Sequence, residues 1–303
     1  MTGEPIGQTT IGARRRIITR ATDILPLKTM RQLLRHKLSL VGLIYIAILI
    51  FIAIFANVIS PDDPLRINPI RALEGPSLEH PLGLDHNGRD QLSRLFYGSR
   101  VSLIVGILAV GVAVFIGVPL GIVAAYSGGW VDHGIMRGVD AMIAIPGLLF
   151  TILLLLVMGG GVITVSIAIG VNLFTTQARL VRSQALSVKE REYFLAAKAI
   201  GAPTWRLLLV HMTPNSIQPV IVQATLGMGF AILGEAGLSF IGVGVPPPTA
   251  TWGGMLNMAF RNLNSAPWLS FAPGIAIFLL VLSFNFVGDG LRDVLDPRLR
   301  GKI

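Results

Sequence analysis

Few residues in this sequence have types and spacing that could do chemistry. Glu235, in LGEAGLSF, is the acid set deepest in an apolar run. An ionisable group in such a run is costly in lipid and by default marks a function or a specific partner. Two readings are open for it: contact with a cationic group on a substrate or partner subunit, or a hydrogen-bonded acid near the membrane interface. Arg137 and Asp140 lie three residues apart on one helix face and are expected to pair near that helix's end. Asn172, Thr175, Thr176 and Gln177 make half of one apolar run polar, and Gln218 and Gln223 lie in another. Such groups face protein or a water-filled cavity rather than lipid, so pore lining and helix–helix hydrogen bonding both stand. Asn172, Gln223 and Glu235 are the residues expected on a translocation path. His80 and His86 have no clustered soft ligand near them in sequence, and the expectation is a solvated loop rather than a metal site.

Several chemistries lack their residues. Cysteine is absent, which removes disulfides and thiolate metal sites. There is no G-x-x-x-x-G-K-[ST] and no H-E-x-x-H, and Gly159-Gly160-Gly161 lacks the lysine of a phosphate loop. No Ser, His and acid stand out as a triad. No catalytic residue, metal ligand or cofactor is therefore assigned to this chain. The formal net charge of +9 does not point to nucleic acid, because apolar runs separate the basic clusters and no basic stripe is interleaved with aromatics.

The elements that must hold these residues are membrane spans. Charged residues make up only 14% of the 303 residues, hydrophobic ones 52%, and mean hydropathy is +0.70. A soluble domain carries about 25% charged residues. Six spans are expected: Leu38 to Ile59, Val101 to Tyr126, Ile135 to Met158, Val162 to Thr176 running on toward Leu186, Ser216 to Val245, and Ser270 to Val287. Gly117 and Gly121 suit close helix packing in lipid, and Pro119 and Pro146 suit bends. A short turn begins at Ser127. Trp252 and Trp268 are expected as interfacial anchors. Residues 1–37 form a basic segment; its first dozen residues are expected to be disordered, and residues 29–37 to form an amphipathic helix on the lipid surface.

One polar stretch between spans has a distinct grammar. EYFLAAKAIGAPTWRLLLVHMTPN, from Glu192 to Asn215, reads helix, stop, helix, stop. Ala196, Ala197 and Ala199 favour the first helix. Gly201 suits a left-handed cap, Pro203 the first turn of a second helix, and Pro214 its end. With six spans, this stretch shares a side with both termini. That side holds 18 of the 25 Lys and Arg, the opposite side six, and Arg137 lies within a span. The positive-inside rule makes the richer side cytoplasmic and residues 60–99 exoplasmic.

The stretch resembles the cytoplasmic EAA loop of binding-protein-dependent ABC transporter permeases. Ala196, Ala197, Gly201 and Pro214 match its usual form; Leu195 stands where a Glu is usual, and Thr213 where a Leu is usual. HPLGLDHNGRDQLSRLFYGSRVSL (His80–Leu103), GEAGLSFIGVGVPPPTATWGGML (Gly234–Leu256) and GDGLRDVLDPRLR (Gly288–Arg300) look like the C-type permease of dipeptide and oligopeptide importers, within the peptide/nickel group. The resemblance implies an all-α, six-helix permease domain over 38–290 with type I importer architecture, a coupling loop at 187–215 and a cytoplasmic tail at 291–303. It implies a bacterial or archaeal cytoplasmic membrane. The implied partners are a second, similar permease, one or two cytoplasmic ABC ATPase chains that carry ATP and Mg, and an exoplasmic solute-binding protein. Peptide is the implied cargo, with nickel or another small solute as the alternative in the same family. ATPase coupling falls to Leu195, Ala196, Ala197, Lys198, Gly201, Arg206 and Pro214. A stand-alone secondary transporter is the reading from another class, with Asp140 and Glu235 as the obvious acids for an ion path.

Overall fold

The computed structural model describes residues 32–295, and these are helical apart from their connections, with no named strand. The helices are α1 (Lys37–Ile59), α2 (Gln91–Ser127), α3 (Gly129–Ala144), α4 (Gly147–Met158), α5 (Val162–Lys189), α6 (Glu192–Ala199), α7 (Thr204–Arg206), α8 (Thr213–Ser216), α9 (Gln218–Phe240), α10 (Trp252–Arg261) and α11 (Trp268–Leu295), with a π-helical segment, Leu207–Met212, between α7 and α8. Length and apolarity qualify α1, α2, α9 and α11 as spans, and α3 with α4 as a fifth, bent by 89°. The remaining expected span, α5, fourth in chain order, has 28 residues, about 42 Å at 1.5 Å per residue, which is long enough to cross. Its polar second half keeps its apolarity low. That half is tolerated because Thr175, Gln177 and Ala178 are enclosed by protein.

The α2–α5 pair packs backbone against backbone along much of its length. A Cβ on Gly117 would lie 2.7 Å from Phe174 O, one on Gly121 2.5 Å from Ala178 O, and one on Gly170 2.6 Å from Ala109 O. Without these side chains the two backbones meet directly, the arrangement small residues permit in membranes. Helix α2 continues through Pro119. At one end Lys189 Nζ donates to Ala125 O (3.0 Å) and Tyr126 O (2.9 Å), placing a cation on the C-terminal carbonyls of α2. At the other end Arg100 holds the last turns of α1, donating to Ala53 O, to Ile54 O (3.1 Å) and to Asn57 Oδ1 (2.9 Å).

Several expectations need correction. The turn at 127–134 is not a loop: α3 starts at Gly129, so this helix begins six residues before Ile135. The chain breaks fully at Ile145–Pro146, because proline lacks the N–H that would continue the ladder. Asp140 pairs with Arg179 on α5 (2.5 Å) rather than with Arg137, which is exposed. Trp252 is a core residue, 1% exposed, whose Nε1 donates to Leu95 O (2.9 Å). Residues 249–269 fold back as α10, with Thr251 Oγ1 accepting from Gly254 N (3.0 Å) as its cap. The last span continues to Leu295 and takes in part of the expected tail. Of residues 29–37, only 32 onward are described; 32–35 are helical, and α1 starts afresh after His36. The expected disorder at the N-terminus lies outside the described residues.

The segment expected to be exoplasmic is not a solvated loop where the histidines lie. His80 is buried and its Nδ1 donates to Asp90 Oδ1 (2.9 Å), while Asp90 Oδ2 caps α2 by accepting from Ser93 N (2.7 Å). Asp85 accepts from Arg89 Nε (2.8 Å), with Arg94 Nε 3.5 Å away, and all three are buried. Burial pushes the half-buried His86 below its ordinary value, because the charged ring is poorly solvated there. Arg71 bridges Glu74 and Glu79 and holds both carboxylates below their usual range. Helix α2 begins at Gln91, so residues 91–99 belong to it.

Candidate functional site

The first part of the site is the helix pair between α5 and α9. Helix α6 ends as the sequence predicts. Gly201 has φ +76°, its N–H donates to Lys198 O (3.1 Å), and Ala202 N–H donates to Ala197 O (3.1 Å). Those two bonds form a Schellman motif, which satisfies the last carbonyls of α6 and turns the chain. Pro203 is the N-cap of the next helix rather than its first residue.

Pro214 does not end that helix. It sits in the first turn of α8, and the turn before it widens to a π register in which Thr213 N–H donates to Leu208 O, five residues back. In an α register the proline ring would crowd the carbonyl four residues earlier; the wider turn relieves this crowding. Asn215 Nδ2 donates to His211 O (2.6 Å), which occupies a carbonyl freed by the irregular turn. The sequence signal for the π segment was the Pro-Asn pair after an uninterrupted apolar helix.

Phe194, Ala197, Leu207 and Met212 are buried and pack with Ile122 and Ala125 of α2 and Val181, Ala185 and Val188 of α5. The pair is thus fixed to the ends of the α2–α5 unit. Its other face is open. Ile200 is 85% exposed, Trp205 62% and Leu195 52%, and Ala196, Lys198, Gly201, Arg206 and Pro214 are also exposed. All seven residues expected to couple, apart from buried Ala197, lie on exposed parts of this element.

The second part of the site is a set of cavities along α5. One, of about 310 Å³, lies between α2, α5 and α9 and is lined by Thr176, Gln177 and Gln223 among apolar neighbours. A second, of about 410 Å³, lies at the α3–α4 break and is lined by Asn172, Thr175, Thr176 and Arg179. A third, of about 630 Å³, lies toward the helix pair and includes Gln184, Gln218, Gln223, Arg191 and Arg292. Asn172 and Gln223 therefore line neighbouring cavities, which meet at Thr176. Glu235 lines none of the three. It is fully buried, its Oε1 accepts from Ser239 Oγ (2.7 Å), and Ser239 Oγ in turn accepts from Val245 N (3.2 Å). Sequence reading missed Gln184, Arg191 and Arg292 as cavity residues, because they become neighbours only when α5, α6 and α11 converge.

A bundle of spans with an exposed helix pair at one end and polar-lined cavities between its helices defines a membrane transport subunit. Residues 117–301 match the family model for the binding-protein-dependent transport system inner membrane component, and residues 27–76 match that for the N-terminal TM domain of oligopeptide transport permease C. The chain belongs to the first family: it is a multi-pass permease of the ABC importer type. It is 44% identical to the dipeptide transport system permease protein DppC of Alkalihalophilus pseudofirmus over 273 residues, 90% of each chain. It is 42% identical to the oligopeptide transport system permease protein OppC of Bacillus subtilis, over 88% of this chain and 87% of that one. Identity to the glutathione transport system permease protein GsiD of Pectobacterium atrosepticum is 40%, over 89% of this chain and 90% of that one. An inward-facing structure of the MetNI methionine ABC transporter matches with a TM-score of 0.56, covering 66% of this chain and 96% of the matched chain; at 16% identity the likeness is one of fold.

Proposed function

We propose that this chain is the C-type permease subunit of an ATP-driven importer of di- and oligopeptides in a bacterial or archaeal cytoplasmic membrane. The observation that carries the reading is the helix pair. It is anchored on one face by Phe194, Ala197, Leu207 and Met212 and presents Leu195, Ile200 and Trp205 on the other. An apolar face of this kind, capped by Gly201, suits docking in a groove of an ATPase chain. One or two such chains would bind ATP and Mg and move the pair as a unit. Leu195, where relatives of this type usually place a Glu, makes the joint depend on packing rather than charge.

A second, homologous permease would supply the other half of the path, and an exoplasmic solute-binding protein would deliver cargo. The distribution of Lys and Arg supports a cytoplasmic side for both termini and the helix pair. Peptide cargo is favoured by relatives named for dipeptide, oligopeptide and glutathione transport. The test is affinity purification of the full chain in mild detergent with identification of co-purifying chains, followed by ATPase assay. The expected result is a second permease, an ATPase and peptide-stimulated hydrolysis. Proton-driven transport by the isolated chain, or stimulation by nickel and not by peptide, would overturn it.

A further inference from the structure

The three central cavities share residues. Thr176 lines the first and second, and Gln223 lines the first and third. They therefore adjoin one another along α5 toward the helix pair, and together are called the track below. Its polar groups are of an unusual kind. Amides and hydroxyls line it, Arg191 and Arg292 stand at its far end, and among the described residues no carboxylate lines any of the three cavities. Arg179 is neutralised by Asp140 (2.5 Å). Arg191 and Arg292 have no ion-pair partner among the described residues. One group in the first cavity stands out: Gln177 is 4% exposed, and its Oε1 has no hydrogen-bond partner. An unpaired buried acceptor in a polar-lined cavity costs free energy that a ligand N–H would restore.

We propose that this track recognises the two invariant features of a peptide. Gln177 and Gln223 take main-chain amide groups in the first cavity, and Arg191 with Arg292 takes the C-terminal carboxylate in the third. The inference rests on the peptide reading above and deepens it. Side-chain amides can both donate to and accept from a peptide main chain, whatever the cargo's side chains. Arginine matches a carboxylate with paired donors, and the field along a track free of acids favours the anionic end leading. Among the described residues these cavities offer a divalent cation no carboxylate ligand.

The test uses the complete importer in liposomes with its solute-binding protein. The probes are trialanine and trialanine amide, which lacks the carboxylate. Uptake of each is normalised to binding-protein occupancy measured separately. For the double variant Arg191→Gln with Arg292→Gln, the ratio of trialanine to trialanine amide uptake should fall about tenfold, as expected for loss of charge-assisted pairing. Arg191→Lys with Arg292→Lys should recover most of that ratio, which shows that the charge and not a folding defect is read. Gln177→Leu should slow both probes together and leave the ratio unchanged. An unchanged ratio in the double Gln variant, or a double Lys variant no better than it, would overturn the carboxylate subsite. So would a loss, equal for both probes, that follows the anionic lipid content of the liposomes, because the arginines would then hold a lipid headgroup. A wild-type complex that moves neither probe would sink the peptide reading itself. A wild-type complex that moves both, with indifferent variants, sinks only this inference.

Discussion

Substitution of Gly201 separates backbone geometry from side-chain contact at the helix pair. At φ +76° with no atom within 4 Å of a Cβ position, Gly201 has room for a side chain but sits in a conformation that L-residues resist. The penalty for Gly201→Ala is therefore almost all backbone, about 1–2 kcal/mol. At 1.4 kcal/mol per factor of ten, this weakens the capped turn by roughly five- to thirtyfold relative to its open forms. Asparagine visits the left-handed region more readily, so Gly201→Asn should cost less. Gly201→Pro is the severe case, because it fixes φ near −65° and deletes the N–H that donates to Lys198 O. Peptide uptake per ATP hydrolysed, measured on reconstituted complex at matched assembly, should then fall in the order Gly, Asn, Ala, Pro. Normal uptake by Gly201→Pro would refute the rigid-turn argument. If Asn and Ala were as damaging as Pro in an intact complex, the cause would be a side chain intruding on a partner rather than the turn.

The remaining predictions concern packing, the joint and pH. Gly121→Leu should lower Tm in detergent by an amount corresponding to about 1–3 kcal/mol of overpacking, since its Cβ would lie 2.5 Å from Ala178 O; Gly111→Leu, with no neighbour within 4 Å, should leave Tm nearly unchanged. Leu195→Glu should sharply reduce peptide-stimulated ATPase activity if the exposed Leu195 packs into an apolar joint, and an unaffected rate counts against that packing. Burial holds His86 below its ordinary 6.5, so its neutral form favours the folded loop; this stability is complete above about pH 6.5 and is lost as pH falls through the depressed value. Limited proteolysis of residues 60–90 should therefore accelerate below pH 6.5, and His86→Leu should flatten that dependence; identical profiles would show that another group governs the loop. Glu74 and Glu79, held low by Arg71, lose their pairing only at more acidic pH, so their contribution falls in a separate window.

How legible each feature was depended on whether its cause was local. The left-handed cap at Gly201 follows from a run of helix formers meeting a glycine, and both bonds of the Schellman motif lie within six residues. Close packing at Gly117 and Gly121 was readable because small residues four apart on a helix serve one purpose in lipid. What sequence could not supply was the identity of distant partners. Asp140 has Arg137 three residues away, yet binds Arg179 because α3 leans its Asp140 side against α5. Trp252 and His80 have the composition of interfacial and solvated residues, and only the return of α10 onto α2 and the Asp90 cap bury them. Pro214 departs from expectation for another reason: a proline ends an α-helix, but a π turn lets the chain pass through it.

The cavity and the helix pair are joined by the order of the chain itself. Residues 190–217 connect α5 to α9, and these two helices are opposite walls of the cavity that holds Gln177 and Gln223. The walls are held by different neighbours: α9 packs on α10 and α11, where a Cβ on Gly253 would lie 2.2 Å from Ala236 O and one on Gly288 2.7 Å from Leu226 Cδ2. Helix α5 is locked to α2 by the Gly117, Gly121 and Gly170 contacts along its length and by Lys189 at its end. Helix α9 begins after the π segment, at Ile217–Gln218, where the helical ladder is already interrupted. A glycine on its path-facing side, Gly227, meets only a side-chain methyl at 3.5 Å. Close-packed interfaces move as blocks, and motion concentrates where the ladder is broken. A push on the exposed face of the pair therefore reaches α2 and α5 first, and the irregular junction at Ile217 lies between them and α9. Gln223, shared by the inner cavity and the arginine-lined cavity beyond it, stands on the second wall.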